Sequence, residues 1–148
     1  MKSKLLPPSY FYLSILLSVG LHFLVPIKKI LHFPASYIGI PLVLLGIAIN
    51  LWTDSVFKKN KTTVKPYENP SALMTAGPFR VSRHPMYLGM TLILIGAAVL
   101  FGTLATFLVP VLFVVLMEVL FIPFEERNLE EIFGDSYRQY KRKVRRWI

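Results

Sequence analysis

Residues 87–121 read YLGMTLILIGAAVLFGTLATFLVPVLFVVLMEVLF, and Glu118 is the one charged side chain among them. Two apolar blocks, 87–101 and 104–121, are separated there only by Gly102 and Thr103. A helix needs roughly 20 apolar residues to cross the hydrocarbon core of a bilayer, and each block approaches that length. Because the gap is so short, the two blocks are predicted to form a tight antiparallel helical hairpin with its tip at one membrane face.

Two further apolar blocks, 10–25 and 38–56, lie upstream of the hairpin. Of the 148 residues, 54% are hydrophobic and only 17% are charged, against about 25% charged in ordinary soluble domains. Four such blocks leave too little polar sequence to cover them in water. The sequence therefore predicts an all-α integral membrane protein of four transmembrane helices in a single domain, 1–148, with two N-terminal spans in 1–57 and the functional part in 58–148. A cleaved signal peptide is disfavoured because no small-residue cleavage site follows the first block.

The basic residues are unevenly distributed between the connections of these spans. The N-terminus, the connection 57–86 and the C-terminal tail carry two, six and seven lysines and arginines, whereas the first connection carries two and the hairpin tip none. Alternate connections share a side of the membrane, so one face collects 15 of the 17 basic residues. The positive-inside rule places that face, and both termini, in the cytoplasm. A prokaryotic plasma membrane is the expected location.

Several classes of function are excluded or disfavoured by composition. The net charge of +9 is explained by residues that flank spans, so no nucleic-acid partner is expected. The absence of cysteine excludes disulfides, thiolate metal sites and a cysteine nucleophile. His22 and His32 are isolated and no histidine pair has zinc-ligand spacing, so no metal site is expected.

The connection 57–86 is too long for a turn and too rich in proline for a helix, which favours an ordered functional loop over a plain linker. It ends in GPFRVSRHPMYLG, residues 77–89. Pro85 suits the first position of a helix, so the third span is predicted to begin here with His84 near its cap. The amides of residues 86–88 would then lack helical acceptors and favour an anion, and Arg80 and Arg83 add positive charge nearby.

Acidic residues follow the fourth span. Glu125 and Glu126 come directly after it, at a depth where an unpaired carboxylate is costly, so both are expected to have partners. Glu130, Glu131 and Asp135 are interpreted as a solvated helix face.

The C-terminal tail combines aromatic and basic residues. Gly134 is typical of a helix stop, and Tyr137, Tyr140, Val144 and Trp147 then recur at helical spacing among arginines and lysines. This pattern predicts an interfacial helix that anchors the chain on the membrane, with its aromatic rings at the level of the lipid headgroups.

Polar residues inside the second span admit two readings. Asn50 and Asp54 lie four residues apart on one helix face, and intramembrane ionisable groups are functional candidates by default. Asp54 alternatively pairs with Lys58. Gly89 and Gly96 lie seven apart on the third span, which favours close packing against another helix over contact with a ligand.

An ordered set of motifs resembles a known family. Its members are a Thr-Thr-Val at 62–64, LMTAGPF at 73–79, RHPMYLG at 83–89, Glu125-Glu126, Leu129, Phe133-Gly134, Tyr137 and Tyr140. Together they resemble the membrane-embedded methyltransferases of the isoprenylcysteine carboxyl methyltransferase and phospholipid methyltransferase group. The resemblance covers residues 62–147, whereas the first two spans match in hydropathy alone.

That resemblance implies S-adenosylmethionine as the cofactor, bound by the loop before the hairpin and the segment after it. The implied cofactor contacts are Ser71, Ala72, Leu73, Met74, Phe79, His84, Pro85, Met86, Tyr87 and Glu125. The implied catalytic residues are His84, Glu125 and Arg83. Phe79 stands where many members have tyrosine, and Phe121 where the eukaryotic isoprenylcysteine enzymes have a substrate-contacting arginine.

The expected function is methyl transfer from this cofactor to a lipophilic substrate taken from the bilayer, at the cytoplasmic face. An isoprenoid-linked or lipid-linked carboxylate or amine would accept the methyl group. The departures at Phe79 and Phe121 keep open a non-catalytic lipid-binding or scaffold module, and Asn50, Asp54 and Glu118 keep open a small transporter subunit.

Overall fold

The computed structural model describes residues 6–25, 28–62 and 70–148, and within these ranges it is helical with no named strand. The α-helices are α1 (Pro7–Leu24), α2 (Gly39–Lys59), α3 (Pro85–Phe101), α4 (Leu108–Leu116), α5 (Ile122–Phe133) and α6 (Asp135–Lys143). Short 3₁₀ turns at Ala35–Ile38, Gly77–Arg80 and Leu104–Phe107 precede α2, α3 and α4. The predicted all-α class is confirmed, while Thr63, Val64 and the N-terminal lysines fall outside the described residues.

Two helices are long and apolar enough to cross a bilayer. They are Ala35–Lys59, of 25 residues, and Leu104–Phe133, of 30 residues. The helix α3 is apolar but shorter, at 17 residues. Two of the four predicted spans therefore meet the length and composition of a membrane-crossing helix, and the number four stays a prediction.

The hairpin between α3 and α4 has the predicted tight tip. Gly102 ends α3 with a φ of 67°, a left-handed conformation that glycine adopts at little cost. Its carbonyl accepts hydrogen bonds from the amides of Ile30 and Leu31, at 2.8 and 3.1 Å, and the amide of Leu104 donates to the carbonyl of Lys28 at 3.2 Å. The first connection and the hairpin tip thus lie at the same end of the bundle, as the charge count requires.

The pairing of α2 with α3 brings two backbones into direct contact. Gly39 and Gly46 on α2 face Gly96 and Gly89 on α3, so the helices run antiparallel. A Cβ atom added to Gly46 would lie 2.5 Å from the carbonyl oxygen of Gly89, and one added to Gly96 would lie 2.7 Å from that of Gly39. The helix-packing interpretation of Gly89 and Gly96 is confirmed, and this contact sets the position of the beginning of α3.

The second arm of the hairpin continues beyond its predicted end. A π-helical turn at Met117–Phe121 joins α4 to α5. Pro123 follows, and because proline has no amide to donate, the wider turn accommodates the missing hydrogen bond. Phe121 is fully buried, with its ring edge-on to Tyr10 at 5.4 Å between ring centroids. The position that the resemblance marked for substrate contact therefore belongs to the hydrophobic core.

The helix α6 differs from its predicted role. Tyr137 and Tyr140 are buried and pack with Phe79 in one apolar cluster, and the Tyr140 hydroxyl donates to the carbonyl of Phe79 at 2.7 Å. Placing these two rings at the headgroup level was therefore wrong. The loop before α3 offers an apolar surface that covers them more completely than a membrane interface does, while Lys141 and the neighbouring basic side chains stay exposed.

Candidate functional site

A cavity of about 240 Å³ lies where α1, α3, α5, α6 and the loop before α3 meet. Eight of the ten residues that the resemblance implied as cofactor contacts line it, together with Arg83. They are Ala72, Met74, Phe79, His84, Pro85, Met86, Tyr87 and Glu125. Residues that precede the helical hairpin in sequence and residues that follow it therefore line the same cavity.

Ser71 and Leu73 are the two that do not line the cavity. Ser71 is exposed, and its amide donates to the hydroxyl of Thr62 at 3.1 Å. Leu73 packs behind the wall, against the cluster of Phe79, Tyr137 and Tyr140. These two residues shape the loop around the cavity.

His84 lies at the N-cap of α3, as predicted, because Pro85 occupies the first helical position. The amide of His84 donates to the Ser82 hydroxyl at 3.1 Å, and its carbonyl accepts the first helical hydrogen bond, from Leu88, also at 3.1 Å. The expectation that the Leu88 amide is free was therefore wrong. The imidazole is 6% exposed and is directed by this backbone into the protein.

The imidazole of His84 contacts Glu125 on α5. Nδ1 lies 3.2 Å from Oε2 of Glu125, while the Tyr87 hydroxyl donates to Oε1 of the same carboxylate. The rings of His84 and Tyr87 are nearly parallel, with centroids 5.7 Å apart. Glu125 thus joins the beginning of α3 to α5 across the cavity wall.

Glu126 is buried and holds two arginines. Its Oε1 lies 3.0 Å from Nη2 of Arg83 and 3.0 Å from Nε of Arg146, and its Oε2 lies 2.7 Å from Nη2 of Arg146. The second nitrogen of the His84 imidazole, Nε2, also lies near this carboxylate, at 3.5 Å from Oε1 of Glu126. That separation is too long for a full hydrogen bond. The prediction that both carboxylates need partners is confirmed.

The environment of His84 favours its charged form. Burial alone lowers the pKa of an imidazole, but hydrogen bonding and attraction by Glu125 and Glu126 outweigh burial, and the pKa lies above its usual value of 6.5. The two carboxylates therefore favour protonation of the imidazole that lies between them.

Several polar atoms in the cavity wall are buried and have no hydrogen-bond partner among the described residues. They are Nε and Nη1 of Arg83, Nε2 of His84 and the hydroxyl of Tyr137. All three side chains line the cavity. A buried unpaired polar group costs roughly 1–3 kcal/mol. Because Nε2 of His84 faces Glu126, the donors left for an anionic group of a ligand are those of Arg83 and Tyr137.

Tyr137 is one of the cavity-lining residues that sequence reasoning missed. Its ring recurs at helical spacing with Tyr140, a pattern that indicated a membrane-facing stripe. Burial, with the negative charge of Glu126, raises the pKa of Tyr137 to about 12. The hydroxyl therefore keeps its proton and serves as a donor. The Phe-Gly-x-x-Tyr spacing was the one signal that singled it out.

The other polar candidates lie away from the cavity lining. Asp54 pairs with Lys58 at 2.6 Å, which was one of its two predicted readings. Asn50 lies against Gly89 at the contact of α2 with α3. Glu118 binds Arg146 at 3.1 Å.

Three further expectations concern the surface and metals. Glu131 and Asp135 are exposed, and Arg138 binds both Asp135, at 3.0 Å, and Glu130, at 3.2 Å. Arg80 is exposed and does not line the cavity. The described parts of the chain contain no group of three or more histidine, aspartate or glutamate side chains that could hold a metal ion.

Comparison with known proteins agrees with the resemblance drawn from the motifs. A family model described as phospholipid methyltransferase matches residues 35–136. The chain is 32% identical over 114 residues to two proteins named "Probable protein-S-isoprenylcysteine O-methyltransferase", from Oryza sativa subsp. indica and subsp. japonica; the match covers 74% of this chain and 58% of each rice protein. It is also 41% identical over 63 residues to an uncharacterised protein of Haemophilus influenzae, covering 43% of this chain and all of that protein. Because the family model matches most of the sequence, the chain belongs to the phospholipid methyltransferase family.

Proposed function

We propose that the protein is an S-adenosylmethionine-dependent methyltransferase that modifies a lipophilic substrate at the cytoplasmic face of a membrane. The observation that carries this proposal is the meeting of His84 and Glu125 on one cavity whose wall holds unpaired donors of Arg83 and Tyr137. Family membership and the methyltransferases among the relatives support the reaction class.

The residues present fit the cofactor's three kinds of surface. The donors of Arg83 and Tyr137 that have no partner among the described residues suit a carboxylate. Glu125 suits the ammonium group, because a carboxylate already holding two donors has further acceptor positions. Met74 and Phe79 supply an apolar and aromatic wall for the adenine.

Methyl transfer depends mainly on the alignment of the methyl donor with the acceptor. When bound, the cofactor supplies a methyl group on a positively charged sulfur that is ready for in-line displacement. The side chains of this chain hold donor and acceptor in register, and positioning of this kind supplies a large part of the rate enhancement. The apolar wall excludes water from the reacting centre.

The charge state of His84 bears on the acceptor. An anionic acceptor, such as a carboxylate, needs no base. An amine acceptor must first lose a proton, and a histidine whose pKa is raised holds its own proton more tightly, so less of it is free to act as a base at neutral pH. Position 121 holds a phenylalanine that is buried in the core. This chain therefore has no arginine at that position to recognise an acceptor carboxylate.

The membrane arrangement belongs to the same proposal. Four spans place the cavity at the end of the bundle opposite the hairpin tip. The beginning of α1, at Leu6, Pro7 and Pro8, lines the cavity and lies at that end. The sequence segments assigned to the cytoplasmic side carry 15 of the 17 basic residues, which supports a cytoplasmic position for the cavity, with soluble cofactor arriving from the cytoplasm and substrate from the lipid.

Calorimetry with S-adenosylhomocysteine, the demethylated product of the cofactor, tests the proposal in detergent. We expect His84→Ala and Glu125→Ala each to weaken binding at least about tenfold, which corresponds to about 1.4 kcal/mol. Glu131→Ala is the matched control, because Glu131 is an exposed carboxylate on the same helix and should leave the affinity unchanged. Wild-type affinity in both cavity variants would contradict the assignment of the site.

Transfer of a labelled methyl group to a crude lipid extract separates catalysis from binding. The non-catalytic alternative has one supporting observation, the burial of Phe121 away from the cavity. We expect label in the lipid fraction with wild-type protein and none with His84→Ala. Cofactor binding without any transfer to lipid would favour the lipid-binding module instead.

A further inference from the structure

The last residues of the chain fold back onto the beginning of α3. The carbonyl of Arg145 accepts a hydrogen bond from the amide of Arg83 at 3.1 Å, and the carbonyl of Arg146 accepts one from the Ser82 hydroxyl at 3.0 Å. Trp147 packs against the hydrophobic core. The backbone around Arg146 is therefore fixed next to the two residues that precede His84.

The Arg146 side chain makes the contacts of a clamp. Its Nε and Nη2 bind the two oxygens of Glu126, at 3.0 and 2.7 Å, and its Nη1 lies 3.1 Å from Glu118 on the π-helical turn. A two-pronged arginine–carboxylate pair fixes orientation as well as distance. Most exposed ion pairs contribute little, but the Glu126 side chain is only 6% exposed, so this pair orients a buried carboxylate.

The same carboxylate holds the cavity wall from its other side. Glu126 binds Nη2 of Arg83 and approaches Nε2 of His84, while Nε and Nη1 of Arg83 stay without a partner. Without the guanidinium of Arg146, the carboxylate would lose two of its contacts and turn towards the remaining cations. It would then compete with a ligand for the unpaired N–H groups.

We propose that Arg146 is a positioning residue, which holds the Glu126 carboxylate against Nη2 of Arg83 and beside the His84 imidazole, so that Nε and Nη1 of Arg83 stay free for a ligand in the cavity. The identity of that ligand rests on the proposed function, whereas the clamp itself does not. Composition and spacing indicate Arg146 only as one of six basic residues of a membrane anchor.

The clamp has an electrostatic signature that a purely structural contact lacks. The charged and titratable groups around His84 are Glu125 and Glu126 of α5, Arg83 and Tyr87 beside it in sequence, and Tyr137 of α6. Arg146 acts on His84 through Glu126, as does Lys141 of α6, whose Nζ lies 3.9 Å from Oε2 of Glu126. Removing the positive charge of Arg146 leaves more of the negative field of Glu126 at the imidazole, which favours its protonation.

Titration of ¹⁵N-labelled histidine by NMR in detergent, without any ligand, tests the clamp directly. The chain has three histidines, and His84→Gln identifies the signal of His84. We expect Arg146→Gln to raise the midpoint of the His84 titration by at least about half a pH unit. Arg145→Gln is the matched control, since it removes the same charge from the neighbouring exposed side chain, and its midpoint should equal that of wild type. An unchanged midpoint in a folded Arg146→Gln protein would overturn the proposal.

Arg146→Lys tests the fork if the glutamine variant does not fold. Lysine keeps the charge, so the His84 midpoint should stay at the wild-type value, but it cannot bind both oxygens of Glu126 in one plane. Affinity for S-adenosylhomocysteine should then fall at least threefold, and wild-type affinity would contradict the role of the fork. If the wild-type protein does not bind S-adenosylhomocysteine at all, the proposed function fails. The NMR titration of His84 in Arg146→Gln needs no ligand, so it still tests the positioning role of Arg146.

Discussion

At the scale of single residues, His84 joins two helices through its imidazole and its backbone. Its imidazole lies between Glu125 and Glu126 on α5, while its backbone begins α3. The pKa of His84 is raised above 6.5 in the folded protein because attraction by both carboxylates exceeds the effect of burial. A raised pKa means that protonation and folding favour each other.

This coupling predicts a pH dependence with a definite sign. The stabilisation that the charged imidazole contributes is complete below the unfolded-state pKa, near 6.5, and is lost as pH rises through the higher folded-state value. We therefore expect the difference in unfolding free energy between wild type and His84→Gln to shrink as pH is raised from 6 to 9. Denaturant unfolding in detergent, followed by circular dichroism, measures that difference. A difference that grows with pH would contradict the charge assignment.

At the scale of helices, contact of α2 with α3 sets where the site begins. The four glycines at this contact place Gly89, five residues beyond His84, directly against the backbone of Gly46. Small residues allow this approach, and van der Waals contact between the backbones holds the pair. A second contact further along α3, between Gly96 and Gly39, keeps the two antiparallel helices close along their length.

Gly46→Ala tests this packing. The added methyl group would lie 2.5 Å from the carbonyl oxygen of Gly89, so the helices must separate. We expect a loss of about 2 kcal/mol of stability, typical of overpacking, and weaker ligand binding because α3 carries His84. Gly20→Ala is the control, since a Cβ there meets nothing within 4 Å and should leave thermal stability unchanged or slightly higher. Equal melting temperatures for Gly46→Ala and wild type would count against direct backbone contact.

The helix ends show what local pattern predicts and what it does not. The beginning of α3 follows from Pro85, and the hairpin tip from Gly102, because both residues act through their own backbone geometry. The apolar block ends at Phe121, as predicted, but the helix does not end there. Helix continues to Phe133, since the glutamates, arginine and leucine that follow are good helix formers and need no apolar surroundings.

At the scale of the whole molecule, the unpredicted part of the site depends on distant contacts. Sequence motifs gathered eight residues that line one cavity, because each motif lies within a short segment. The return of the tail did not follow from any pattern, since Ser82 and Arg146 are 64 residues apart. Tyr137 was misplaced for the same reason, because an amphipathic stripe does not distinguish a lipid surface from a protein surface.

The fold as a whole has two unlike ends, and this asymmetry predicts how the molecule sits in a membrane. The hairpin tip carries no basic residue, whereas the end with the cavity and the tail carries most of them. The chain has no cysteine, so single cysteines report topology cleanly. We expect Leu104→Cys, at the exposed tip, to react with a membrane-impermeant maleimide in intact bacterial cells, and Lys143→Cys, at the exposed end of α6, to react only after lysis. The reverse pattern would place the cavity outside the cell, where no cytoplasmic methyl donor reaches it, and labelling of both cysteines in intact cells would place the two ends on one side of the membrane.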